Sequence, residues 1–333
     1  MGMNDQFIFC TTVIGNESLL KEEIRLYFPD LTLSFSGKGL VTFKNKGEKI
    51  DERILADKSP VFALRSGIHI LKTDEDLLLD DLAKVTDLIA REKFGVHYFN
   101  IKGEPFSLVG EEKLASTYSQ LNNRARPYEY IVNVIEISPG KFWIGLSFVT
   151  NATNPYPNGN TEIVLPPNAP SRAYLKIAEA DKIFNLNLNF NDLVIEYGSA
   201  PGGATTYLLD KGLKVVGVDP ALMDESCANN PNFKHLQIPV QDLSQEKLPD
   251  APVQLVTVDL NLNPKQSLKE VLRLTKKHAH DIRGILFTIK IVNEFHLQKM
   301  GEYKKLFIDF GAREVIEMQL SSHKKEYLIY AKF

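Results

Sequence analysis

The chain of 333 residues is long enough for two domains of ordinary size, and 44% of its residues are hydrophobic and 24% charged. This composition is typical of globular proteins and excludes disordered, collagen-like and coiled-coil chains. The net charge of −3 divides into −4 over residues 1–170 (18 Lys/Arg, 22 Asp/Glu) and +1 over residues 171–333, so any nucleic-acid site must be local.

Residues 1–150 contain strands and helices without a strict alternation. The elements predicted from apolar periodicity and turn residues are a strand over 6–14, a helix over 16–27, a hairpin over 31–36 and 40–43, a helix over 74–93, and paired strands over 128–137 and 141–150. This mixture is typical of an α+β region.

Residues 151–170 contain five of the 17 prolines and have no sustained helical or strand period. Proline restricts the backbone and removes hydrogen-bond donors. We therefore predict a proline-rich linker over 151–170, which separates a first domain over 1–150 from a second over 171–333.

After this segment the pattern alternates between strands and helices. The predicted strands, mostly short, apolar and bounded by turns, are 193–197, 215–218, 235–238, 255–260 and 285–291. The predicted helices are 204–211, 266–278 and 295–310, and residues 314–320 and 326–333 form a predicted terminal hairpin. The pattern indicates an α/β domain with a buried, mainly parallel sheet and a C-terminal antiparallel hairpin.

Only two cysteines are present, Cys10 and Cys227, which is too few for a disulfide framework or a Cys-rich metal site. No metal site is predicted. No apolar run approaches the ~20 residues of a membrane span, and the N-terminus lacks the pattern of a signal peptide. We expect a cytoplasmic protein without membrane contact, and the sequence does not indicate its oligomeric state.

A glycine-rich turn, Gly198-Ser199-Ala200-Pro201-Gly202-Gly203, follows the first strand of the second domain. Such a turn lets a ligand approach backbone N–H groups at a helix start. Glu196 precedes the turn, and Asp219 ends the next strand, where a carboxylate can accept hydrogen bonds from ribose hydroxyls. A turn that needs glycines only for its geometry is the alternative.

The segment 196–203 resembles the S-adenosylmethionine loop of the FtsJ-like ribose methyltransferases, and Ser171-Arg-Ala-Tyr-Leu-Lys176 resembles their lysine-bearing entry helix. The run from Pro155 to Arg172 is similar to the junction in the RlmM-like branch, bacterial enzymes that methylate a cytidine ribose of large-subunit ribosomal RNA. Residues 1–150 more faintly resemble a THUMP-type, ferredoxin-like RNA-binding region. The resemblance implies a Rossmann-like methyltransferase domain with a seven-stranded sheet, S-adenosylmethionine as cofactor and ribosomal RNA as partner.

The family uses a Lys-Asp-Lys-Glu set, and the resemblance assigns its catalytic roles to Lys176, Asp259, Lys290 and Glu326. A ribose hydroxyl is a poor nucleophile, so methyl transfer needs a base, for which we choose Lys290, oriented by Asp259. By the same resemblance the cofactor contacts residues 196 and 198–203, Asp219 and Asp259, and its adenine contacts Asp242.

Ala204 departs from the family, in which an aromatic residue usually follows the two glycines. This departure and the acidic first domain raise one alternative, a non-catalytic RNA-binding or ribosome-assembly protein that retains the fold. Without family context, each of the four polar residues also has a structural interpretation, such as a solvated surface charge for Lys176 or a helix cap for Asp259.

Overall fold

The computed structural model describes residues 5–100 and 108–333. The chain divides into two compact units, Met1–Thr161 and Glu162–Phe333, called unit 1 and unit 2 below. The division falls within the proline-rich segment 151–170.

In unit 1, the described strands are β1 (Gln6–Thr11), β2 (Leu31–Gly37), β3 (Leu40–Asn45), β4 (Arg65–Asp74), β5 (Phe94–Asn100), β6 (Tyr130–Ser138) and β7 (Lys141–Phe148). The helices described there are α1 (Glu17–Tyr27), α2 (Glu52–Asp57), α3 (Leu78–Asp87) and α4 (Leu108–Thr117). These strands form one sheet in the order β2-β3-β1-β4-β7-β6-β5, in which only β5 and β6 pair in parallel. The α+β prediction is confirmed, and the fainter resemblance to a THUMP-type region stays a prediction.

The core of unit 1 lies where α3 packs on the sheet. Leu82 and Val85 of α3 belong to one buried cluster with Val132 and Val134 of β6. The helix predicted over 74–93 is wrong in its bounds, because β4 continues to Asp74 and α3 ends at Asp87.

In unit 2, the strands are β8 (Leu193–Tyr197), β9 (Lys214–Val218), β10 (Phe233–Leu236), β11 (Leu255–Val258), β12 (Gly284–Lys290), β13 (Glu314–Met318) and β14 (Glu326–Lys332). The helices are α5 (Ala173–Phe184), α6 (Gly203–Asp210), α7 (Glu225–Ala228), α8 (Pro264–Thr275), α9 (Glu294–Gln298) and α10 (Met300–Phe310).

The sheet of unit 2 has the order β10-β9-β8-β11-β12-β14-β13. The first five of these strands are parallel, and β14 is antiparallel to both β12 and β13. The central strands are almost entirely buried, as expected when helices cover both faces. The prediction of a mainly parallel seven-stranded sheet with a C-terminal antiparallel hairpin is confirmed.

Two element predictions for unit 2 need correction. The strand predicted over 235–238 lies at Phe233–Leu236. The helix predicted over 295–310 is two helices, α9 and α10, because Lys299 between them has φ −98° and ψ 1°, outside the α-helical region.

Candidate active site

The strands of unit 2 place the glycine-rich turn and four polar residues at one edge of the sheet. Parallel strands have their carboxyl ends at the same edge, which is where ligands bind in open α/β sheets. Gly198 follows β8, Asp219 follows β9, Asp259 follows β11, and Lys290 ends β12. Because β14 is antiparallel to β12, its first residue, Glu326, lies at this edge too, opposite Lys290 in the register.

Helix α5 supplies the fifth polar side chain, Lys176, and is tied to the turn that precedes β14. Glu179 of α5 is 1% exposed, and its two carboxylate oxygens accept hydrogen bonds from the backbone N–H groups of Ser321 and Ser322, at 2.8 and 3.0 Å. This contact fixes the helix that bears Lys176 relative to the turn that leads to Glu326.

Each of the four residues predicted to be catalytic forms an ion pair with at least one of the others. Lys176 Nζ is 2.8 Å from Asp259 Oδ2 and 2.8 Å from Glu326 Oε1. Lys290 Nζ is 3.0 Å from Asp259 Oδ1. The side chains therefore form a continuous series of ion pairs, Glu326–Lys176–Asp259–Lys290, called the ion-pair chain below.

Burial and charge act in opposite directions on the middle of this ion-pair chain. Burial favours the neutral form of Asp259, but the ammonium groups of Lys176 and Lys290 outweigh it, and the pKa of Asp259 is lowered. Burial likewise disfavours the ammonium of Lys176, but the carboxylates of Asp259 and Glu326 outweigh it, and the pKa of Lys176 is raised. At neutral pH, Lys176 and Asp259 are therefore fixed charges.

Asn261 is a further member of the site that the sequence analysis missed. Its Oδ1 accepts a hydrogen bond from Lys290 Nζ. Asn261 could have been predicted from its position, because it lies two residues after Asp259 in the loop that follows the carboxyl end of β11. Lys290 thus lies between a carboxylate and an amide oxygen.

The glycine-rich turn after β8 is constrained by close backbone packing. Gly198 has φ +84°, and a Cβ there would lie 2.5 Å from the carbonyl oxygen of Asp259. Gly202 has φ +121°, and a Cβ there would lie 2.6 Å from Cys227 Sγ. The backbone conformation and the close contacts with other protein atoms therefore require glycine at both positions, whether or not a ligand binds. The turn is brought against the loop that carries Asp259.

A cleft of about 300 Å³ opens beside this turn. The predicted cofactor residues Gly198, Ser199, Ala200 and Asp259 line it, together with the other three members of the ion-pair chain. Arg172, Asn261, Ser322 and Lys324 also line the cleft. The predicted catalytic residues and part of the predicted cofactor loop therefore share one concave site.

A smaller cavity of about 40 Å³ adjoins the turn and is lined by Ala204, Glu196, Lys176 and Asp259, among others. Ala204 thus lies beside the buried Glu196. The carboxyl of Glu196 accepts a hydrogen bond from the Thr205 hydroxyl at 2.6 Å. Burial, with a smaller effect of the nearby carboxylates of Asp259 and Asp219, raises the pKa of Glu196 to about 8.

The other predicted cofactor residues lie outside the lining of the cleft. Pro201, Gly202 and Gly203 form the far part of the turn and the start of α6. The Asp219 carboxylate accepts hydrogen bonds from the backbone N–H groups of Ala200 and Ala221, at 3.2 and 2.8 Å, so it also orders the turn. Asp242 is exposed in a short 3-10 helix after β10.

In the sheet of unit 2, β14 lies between β12 and β13 and is antiparallel to both. This strand order defines a Rossmann-like methyltransferase fold. In agreement, residues 169–327 match the FtsJ-like methyltransferase family. This part of the chain is therefore similar in sequence to FtsJ-like methyltransferase domains.

The chain is similar to curated proteins named "Ribosomal RNA large subunit methyltransferase M". The protein of this name from Shewanella sediminis is 32% identical over 142 residues, 40% of this chain and 38% of that protein. The one from Laribacter hongkongensis is 39% identical over 89 residues, 25% of each chain. The matches thus span well under half the length of these relatives.

Among solved structures, TrmN from Thermus thermophilus aligns over 98% of this chain and 100% of its own, at 14% identity and a TM-score of 0.35, too low to support an argument about function. None of the helices in the described parts of the chain is long and apolar enough to cross a membrane. Within residues 5–100 and 108–333, no group of three or more His, Cys, Asp or Glu residues is placed to hold a metal ion.

Proposed function

We propose that unit 2 transfers a methyl group from S-adenosylmethionine to a ribose 2′-hydroxyl of RNA. The ion-pair chain beside the glycine-rich turn carries this proposal. It assembles, from four separate elements, the four charged groups that the family resemblance assigns to catalysis, next to a cleft of about 300 Å³ at the carboxyl edge of the sheet. Its completeness gives no support to the alternative of a non-catalytic protein that retains the fold.

The residues present fit the cofactor, which when bound supplies an electrophilic methyl group on a sulfonium. The backbone of Gly198, Ser199 and Ala200 would lie along it in the cleft. Asp219 would accept hydrogen bonds from its ribose hydroxyls, and Asp242 from the adenine amino group. The buried carboxyl of Glu196, whose hydrogen-bond donor is a neutral hydroxyl, suits a cationic part of the cofactor.

The ion-pair chain would activate and orient the RNA hydroxyl. Lys290 Nζ would accept the proton of the 2′-hydroxyl, and the ribose oxygen would attack the methyl carbon in line, while the carbon–sulfur bond breaks and its electron pair stays on sulfur. For this step the amine of Lys290 must present its lone pair to the hydroxyl, and Asp259 and Asn261 hold the amine in place. Lys176 shares the Asp259 carboxylate as a fixed positive charge. After proton transfer, Asp259 stabilises the Lys290 ammonium that has formed.

We further propose ribosomal RNA as the substrate, in the cytoplasm, with unit 1 as an RNA-positioning region. The similarity to the RNA methyltransferases named above supports this substrate. Arg172 and Lys324, which line the cleft, offer cations for phosphates beside the reacting sugar. The chain's net charge is negative, so recognition must depend on such local cations and on the shape of the RNA.

The test is transfer of a tritiated methyl group to ribosomal RNA purified from cells that lack this gene, followed by mass mapping of the product. We expect one ribose methyl to appear with the wild-type protein. Asp259→Ala should reduce the single-turnover rate by ~10²-fold or more. Asp250→Ala is the matched control, because Asp250 is an exposed carboxylate that precedes β11 and so lies toward the opposite edge of the sheet. Absence of any new ribose methyl with wild-type protein would refute the proposal.

A further inference from the structure

Two apolar side chains are exposed beside the end of β12, on the segment 291–296. Val292 is 79% exposed and Phe295 is 56% exposed. They follow Lys290, the proposed base, by two and five residues along the chain. An exposed aromatic ring offers a flat apolar face on which the base of a nucleotide can stack.

Hydrogen bonds fix this segment at the cleft. The backbone N–H of Ile291 donates to the carbonyl oxygen of Lys325 at 2.8 Å. Lys325 belongs to the turn that supplies Ser322 and Lys324 to the cleft lining. The backbone N–H of Val292 donates to His296 Nδ1 at 3.3 Å, which holds the start of α9. Phe295 is therefore part of a hydrogen-bonded segment that joins Lys290 to α9 and is tied to the turn at the cleft.

The charges around Phe295 are mixed, with a cation at the ring itself. Lys299 Nζ lies 5.4 Å from the centre of the Phe295 ring, within the range of a cation–π contact. Glu302 of α10 forms an ion pair with Lys299, and Glu294 is the acidic residue of the segment 291–296. Lys290 and Lys324 lie on the cleft side. An aromatic ring accompanied by lysines matches a nucleobase attached to phosphates.

We propose that Phe295 is a stacking platform for a nucleobase of the RNA strand next to the reacting ribose, and that Lys299 contacts the phosphate backbone there. This inference rests on the proposed function. A protein partner is the poorer fit, because a stable protein interface buries roughly 800 Å² on each side, far more than two side chains offer. One exposed aromatic ring is enough to stack one base.

Two measurements test the platform. The first is binding of a short, fluorescein-labelled, single-stranded RNA of mixed sequence, followed by fluorescence anisotropy. The second is the KM and kcat for methyl transfer to ribosomal RNA from cells that lack this gene. Base stacking contributes ~1–3 kcal/mol, so Phe295→Ala should weaken RNA binding and raise the KM roughly 5- to 150-fold. The kcat and the affinity for S-adenosylmethionine should stay unchanged.

Substitutions at the same position separate stacking from general apolar contact. Phe295→Trp should restore RNA binding, and Phe295→Leu should not, because leucine is apolar but has no aromatic face. Phe190→Ala is the matched control, since Phe190 is 75% exposed and precedes β8, away from the carboxyl edge. RNA binding that is unchanged in Phe295→Ala, fully restored by leucine, or equally weakened in Phe190→Ala would overturn the inference. If RNA binding depends on Phe295 but the wild-type protein transfers no methyl group, the proposed function is refuted and the stacking platform is not.

Discussion

Lys290 and Glu326 are directly opposite each other in the antiparallel register of β12 and β14, and the ion-pair chain joins them through Asp259 and Lys176. Backbone pairing therefore sets the distance between the two ends of the ion-pair chain. Only Lys176, on a helix, and Asp259, on a loop, depend on other contacts for their positions.

We expect Lys290→Ala to lower single-turnover methyl transfer by ~10²-fold or more, since the variant lacks the proposed base. The affinity for S-adenosylmethionine, measured by calorimetry, should stay close to that of the wild type. Lys332→Ala is the control, because Lys332 is a lysine at the opposite end of the same strand pair. A transfer rate equal to that of the wild type would remove Lys290 from the mechanism.

Asp219→Ala should weaken S-adenosylmethionine binding in calorimetry by roughly 5- to 100-fold. The substitution removes the proposed acceptor for the ribose hydroxyls and also the hydrogen bond that Ala200 N–H donates within the turn. Asp242→Ala provides a comparison, because Asp242 is exposed and its contribution should be smaller. An unchanged dissociation constant in Asp219→Ala would show that the adenosine lies elsewhere.

Binding of the cofactor should release a proton from Glu196 at neutral pH. Burial raises the pKa of this carboxyl from 4.5 to about 8, so it is neutral at pH 7 in the ligand-free protein. The groups around it are the Thr205 hydroxyl, the carboxylates of Asp219 and Asp259, and Lys176, whose ammonium is already paired. A cationic ligand favours the ionised form, so affinity should increase about tenfold from pH 6 to pH 7.

The measurement is calorimetry in buffers of different ionisation enthalpy, with Glu196→Gln as the variant that cannot ionise. Glutamine can still accept the hydrogen bond from Thr205. Wild-type protein should release close to one proton at pH 7, and Glu196→Gln none. Equal proton release from both proteins would assign the proton to another group.

The same carboxyl predicts how the stability of the ligand-free protein depends on pH. Because folding raises its pKa, the contribution of Glu196 to the free energy of unfolding is fully present below pH 4.5 and is lost as the pH rises through 8. Thermal unfolding should show Glu196→Gln gaining stability relative to the wild type between these pH values. A difference between the two proteins that does not change with pH would contradict the raised pKa.

Gly203→Ala should destabilise unit 2. A Cβ at this position would lie 2.6 Å from the carbonyl oxygen of Ser171, so the start of α6 or the entry to α5 must move. Gly301→Ala is the control, since nothing lies within 4 Å of a Cβ there, and alanine should stabilise α10 by ~1 kcal/mol. Scanning calorimetry should therefore give opposite changes in melting temperature for the two variants.

The sequence predicted unit 2 better than unit 1, for a physical reason. Buried parallel strands such as β8 and β12 are short apolar runs bounded by turns, and the loops after them carry the polar residues of the site. In unit 1, the residues of β4 and β5 lack such a pattern. Gly67 interrupts β4, and His97 lies buried in β5. Both strands were missed.

Sequence order and family resemblance were enough to identify the four charged residues of the site. Their pairing could not be predicted, because it depends on how α5 packs against the sheet. Asn261 was missed because an asparagine near a strand end is more often a turn residue. The fixed charge of Lys176 follows from two carboxylates that are 83 and 150 residues away along the chain.

Glu179 holds the turn before β14 through the backbone N–H groups of residues 321 and 322, and every amino acid except proline has such a group. The side chains at these two positions are therefore free to change in evolution without displacing Lys176 or Glu326. Position 179, in contrast, requires an acid. The surface that this turn presents to the cleft can therefore change while the arrangement of charges beneath it stays the same.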